Sequence, residues 1–122
     1  MATSTIKGKT GTTLKAVTVT AVNATSQAAL TAYLEGNLLK INAVLNYSGK
    51  TFANNDDLFT IDGYKAVGRS DFWAWPESGS GLIKAVIMNN ASAIKISAVG
   101  NCKLTGFDGF YDFAMTIPVV PA

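Results

Sequence analysis

Histidine is absent from this chain, and cysteine occurs once, as Cys102. Without histidine the commonest general base is missing, and with it the usual serine and cysteine triads and most zinc sites. A single cysteine forms no internal disulfide, so the fold is expected to stand without one, with Cys102 as a buried, inert thiol. Charge is sparse: Asp, Glu, Lys and Arg make up 15% of residues, the net charge is +2, and Arg69 is the only arginine. The lysines are scattered singly, so no basic block points to nucleic acid. No apolar run approaches the roughly 20 residues of a membrane helix. The opening "MATSTIKGKTGTT" lacks the apolar core of a secretory signal and reads as an extended polar arm. Together these absences argue against catalysis, and they call for no metal and no cofactor.

What is present is a chain of 122 residues, 48% of them apolar, enough for one domain with its own core. The dominant pattern has period two, the signature of half-buried strands. In "LKAVTVTAV", Val17, Val19 and Ala21 alternate with Thr18 and Thr20. "NLLKINAVLNYSG" sets Leu39, Ile41, Ala43, Leu45 and Tyr47 on one face and Lys40, Asn42 and Asn46 on the other. "GLIKAVIMNNASAIKISAVG" reads as two strands joined by a reverse turn at Asn89-Asn90, with Ile94, Ile96 and Ala98 on one face of the second. "GFDGFYDFAMTIPVV" alternates Tyr111, Phe113, Met115 and Ile117 against Asp112 and Thr116, and Pro118 is expected to end regular pairing. "TSQAALTAYLEGN" suits either a helix capped by Ser26 and stopped by Gly36 or a strand turning at Gly36-Asn37; the strand is preferred because the turn leads straight into the clearest alternation. The expected architecture is all-β, an antiparallel sandwich or jelly roll of about seven to nine short strands. Residues 1–12 form the arm and 13–122 the single domain.

The stretch "GYKAVGRSDFWAWPESGSG", Gly63 to Gly81, holds both tryptophans and the arginine. Alternation puts Phe72, Ala74 and Pro76 on one side and Asp71, Trp73 and Trp75 on the other, with Arg69 in the same register. Three readings stay open. The tryptophan face is core, as large aromatics usually are. Or it is a platform on which sugar rings stack while Arg69 and Asp71 bond hydroxyls. Or it is a subunit interface, where Trp and Arg are enriched. Other candidates are weaker. The four Asx residues of "FANNDDLF", Asn54 to Asp57, fit a backbone-capping turn better than a calcium loop. Asp108 and Asp112 are a possible pair for glycosidic acid–base work, though solvent-facing acids explain them more simply. Lys7 and Lys9 read as part of a solvated tail.

From Leu30 to Ile117 the order of features resembles the head domains of receptor-binding proteins from tails of phages that infect Gram-positive bacteria. The phrase "IDGYKAV", with Gly63, Tyr64 and Lys65, stands where those domains often carry Gly-Tyr-(Lys/Arg)-Pro; Ala66 replaces the proline. The resemblance implies an antiparallel sandwich, a homotrimer, and adhesion to cell-surface saccharide through Trp, Asp and Arg near subunit boundaries. The residues here that carry over are Arg69, Asp71, Trp73 and Trp75. It also implies a virion location and other virion proteins as partners. The alternatives are a capsid decoration or head-fibre protein without a sugar site, and a free carbohydrate-binding module.

Overall fold

The computed structural model describes Thr5–Lys7 and residues 13–122, with the backbone alone for Thr5–Lys7 and Thr13. Eleven strands make up the fold: β1 (Thr5–Lys7), β2 (Thr13–Ala16), β3 (Val19–Ala21), β4 (Ser26–Glu35), β5 (Leu38–Asn46), β6 (Asp57–Ile61), β7 (Tyr64–Ala66), β8 (Ser70–Pro76), β9 (Ile83–Ile87), β10 (Ala93–Ile96) and β11 (Phe110–Pro121). No helix occurs among the described residues. All the pairings are antiparallel, in the order β1-β2-β4-β5-β11-β8-β9-β10-β6-β3, with β7 added to the end of β11.

Two bends, one at β8 and one between β2 and β3, turn this ribbon into a sandwich. β8 pairs through Trp75 and Pro76 with β11, and through Ser70–Ala74 with β9, so it belongs to both layers. At the opposite edge β2 pairs with β4 and β3 with β6, and only Val17 and Thr18 separate them. One bent segment therefore closes the path around the core. The layers meet through the alternating residues read from the sequence. Leu39, Ile41, Ala43, Leu45 and Tyr47 face Tyr111, Phe113, Met115 and Ile117 on one layer, against Phe59, Ile83, Ile87, Ile94 and Ile96 of the other, all buried. Phe113 meets Phe59 edge to face, with centroids 5.0 Å apart, and so joins the two layers.

The uncertain segment is strand β4, paired with β5 from Ser26↔Asn46 to Glu35↔Leu38, with a bulge between Gln27 and Ala29. Its turn needs Gly36: φ there is 61°, whereas Asn37 has no positive φ, the pattern of a two-residue hairpin turn with glycine first. Asn89-Asn90 is a turn as expected, closed by Ala91 N–H donating to the Met88 carbonyl at 3.1 Å, with Asn90 at φ 67°. Three expectations need correction. The strands number eleven rather than about seven to nine, because the run read as one strand divides into β2 and β3, Thr5–Lys7 of the arm pairs as β1, and β7 has three residues, too few to show alternation. Pro118 ends pairing with β5 but not the strand: β11 runs on to Pro121 against β7, and the Pro118 carbonyl accepts from Val67 N–H. Ala98 lies exposed beyond the end of β10 rather than on its inner face.

Of the arm, only Thr5–Lys7 is described, as a strand against β2 (Ile6↔Leu14). The rest of 1–12, Lys9 included, lies outside the described residues, as does the side chain of Lys7.

Candidate functional site

Strand β8 alternates as its sequence requires. Ala74 is buried and Phe72 packs against the core, while Asp71, Trp73 and Trp75 point outward. Trp73 keeps 39% of its surface exposed and Trp75 63%. Such exposure excludes the core reading of the tryptophan face, since a ring held there for packing alone loses nearly all contact with water.

The rings form one wall of an open groove of about 450 Å³ on the outside of the β4-β5-β11 layer. Its floor is made by the outward positions of three strands: Ala29 and Thr31 of β4, Asn42 and Val44 of β5, Asp112 and Ala114 of β11. Trp75 lies directly opposite Asp112 across the β8–β11 ladder. The floor is low because its residues are mostly small, and the tryptophans stand above it. The result is a shallow trough with one aromatic side and amide, hydroxyl and carboxylate groups within reach.

Electrostatics divides the stripe into two ends. At the start of β8, Arg69 grips Asp71 in a two-point ion pair, Nε donating to Oδ1 at 2.8 Å and Nη2 to Oδ2 at 3.1 Å. Lys84 Nζ, from the facing strand β9, lies 3.7 Å from Asp71 Oδ2 and 5.8 Å from the centre of the Trp73 ring. The hydrogen bonds from Arg69 hold the Asp71 carboxyl below its ordinary pKa and raise that of Arg69. Two cations share one carboxylate here, so this end carries a net positive charge. At the other end Glu77, just past β8, sits beside Asp112. A hydrogen bond between the two carboxyl groups favours protonated Glu77, and desolvation and the Asp112 charge push its pKa further above the ordinary value.

Of the four residues expected at a site, Trp73 and Trp75 line the groove together. Asp71 adjoins Trp73 through Lys84 but is saturated by cations. Arg69 lines a different hollow, of about 260 Å³, with Asn54, Met88, Lys95 and Val99. Asp112, weighed at first with Asp108, is in the groove; Asp108 is in the preceding loop, where its carbonyl accepts from Ser78 Oγ at 3.3 Å. The floor residues Ala29, Thr31, Asn42, Val44 and Ala114 were not singled out from the sequence as site residues. Their signal was the run of small and polar residues on the outward faces of β4, β5 and β11, legible only once the three strands are known to be neighbours.

The Asx stretch is the expected turn. Asp56 Oδ2 accepts from Ala53 N–H at 2.8 Å, Asn54 Oδ1 accepts from Ala98 N–H at 2.9 Å, and Asp57 pairs with Lys95 at 2.8 Å. Cys102 is partly buried; burial pushes its thiol pKa up, which keeps it protonated. Among the described residues no three His, Cys, Asp or Glu side chains gather as metal ligands. No family model matches this chain, and no curated protein or solved structure matches it significantly.

Proposed function

We propose that the protein is a non-enzymatic saccharide-binding module, serving as the adhesion head of a trimeric phage virion protein. The observation that carries the binding reading is the pair of exposed tryptophans, 39% and 63% accessible, walling an open groove whose floor of mostly small residues carries three polar side chains, Thr31, Asn42 and Asp112. Sugars present an apolar ring face and an edge of hydroxyls. The wall suits the first, and Thr31, Asn42 and Asp112 suit the second. The virion and trimer parts of the reading rest on the resemblance described above. They are further supported by sparse charge and by exposed Met88 and Val99 in the second hollow, apolar surface suited to a neighbouring subunit. Single-site affinity on so open a groove is modest, and three linked sites would raise avidity about a hundredfold.

The test is titration of the protein with neutral oligosaccharides and with solubilised cell-wall polysaccharide of Gram-positive bacteria. At least one should bind, and Trp75→Ala should weaken it about tenfold. Equal binding by wild type and Trp75→Ala would remove the groove from the account.

A further inference from the structure

The groove has a sign as well as a shape. Among the described residues Asp112 is the one charged side chain that lines it. Glu77 N–H donates to the Phe110 carbonyl at 2.9 Å, two residues along the same ladder from the Trp75–Asp112 pair, and its carboxyl interacts with that of Asp112, so the Trp75 end carries two neighbouring carboxyl groups. Among the described residues no ion pair with lysine or arginine reaches either acid: Lys84 and Arg69 lie at the far end with Asp71, and Lys84 stands over the Trp73 ring. Among the described residues no lysine or arginine is found over the Trp75 ring, the more exposed of the two. The end of the groove with the most accessible aromatic face therefore also has an unbalanced negative charge. A group that relieves both is a cation held against the ring face and bonded to carboxylate.

Resting on the saccharide reading, we infer that the groove selects a cationic amino sugar, a glycan unit with a free ammonium, seated on Trp75 with its ammonium at Asp112 and Glu77. The sugar ring lies along the tryptophan wall. The ammonium donates to the Asp112 and Glu77 carboxylates. Asn42 and Thr31 are left for hydroxyls. The same charge turns away uronic acids and phosphate-bearing glycans, which would set anion against anion.

The test compares three soluble probes at neutral pH by tryptophan fluorescence titration: a glucosamine oligomer with free amines, its fully N-acetylated counterpart, and a uronic acid oligomer. The amine oligomer should bind about tenfold more tightly than the acetylated one, and the uronic acid oligomer most weakly. Asp112→Asn with Glu77→Gln should bring the ratio between the first two close to one. Melting curves check that the variant is folded, and a salt series on the unaltered protein gives a second measurement independent of any substitution. Added salt should weaken the amine oligomer more than the acetylated one. Equal affinity for the two oligomers, or a ratio unmoved by salt, would overturn the inference and leave the saccharide reading standing. Failure of every probe and of cell-wall polysaccharide would overturn both.

Discussion

Tyr47 is the residue whose chemistry fits its surroundings least well. Its ring is fully buried among Phe52, Phe107, Tyr111 and Phe113, with centroids 5.4 to 6.3 Å away, and its hydroxyl has no hydrogen-bond partner. Burial pushes the phenol pKa upward. The ring contributes packing, while the lone hydroxyl detracts, since an unsatisfied buried polar group costs about 1–3 kcal/mol. Tyr47→Phe is accordingly expected to raise stability by about 1 kcal/mol, read as a higher denaturation midpoint with an unchanged slope; a loss would show that the hydroxyl is satisfied. Glu77 has a parallel problem at the surface. Its pKa is raised in the folded state, so folding retains a proton that the unfolded chain releases, and this contribution is lost as pH rises through the carboxylate range. Glu77→Gln should therefore raise the melting temperature at neutral pH and lose that advantage in acid. A difference that stays constant with pH would exclude the Asp112 contact as its cause.

At the scale of elements, the antiparallel pair β5 and β11 is the frame on which both core and groove depend. Their register runs unbroken from Phe110↔Asn46 to Pro118↔Leu38, so inward residues line up with inward and outward with outward. That is why Phe113 reaches Phe59 on the inside while Asp112 and Asn42 lie in the groove outside. Phe113→Ala should cost about 3–5 kcal/mol, a large part of the roughly 5–15 kcal/mol that holds such a domain together; an equilibrium denaturant titration measures it, and a cost below about 1 kcal/mol would mean that this contact does not join the layers. These strands were legible in the sequence because each alternates over many residues and buries one side only. β9 was less so, since Ile83, Ala85, Val86 and Ile87 are all buried and break the alternation. The stripe on β8 was legible as a shared face from period two alone. That Arg69 and Asp71 would bind each other instead of a ligand was not, because two oppositely charged residues two apart on one strand face suit either role.

For the whole molecule, what the sequence withheld was adjacency. Period two says which side of a strand faces inward, but not which strands are neighbours. The groove exists because β8, from the middle of the chain, lies beside the C-terminal β11, which in turn lies beside β5 and β4. The bent segment from 13 to 21 that closes the sandwich was hidden for the same reason: its residues read as one strand and serve two layers. The assembled state belongs to this scale too. Light scattering at micromolar concentration should report three times the mass of one chain, and a monomer there would remove the avidity on which the proposed adhesion depends. The most direct measurement of the central claim is tryptophan fluorescence, because both tryptophans of the chain wall the groove. An aqueous quencher should reach them, Trp75 more than Trp73, and a bound oligosaccharide should shield them from it. Quenching that no saccharide reduces, with binding of cell-wall polysaccharide unaffected by Trp75→Ala, would contradict the account.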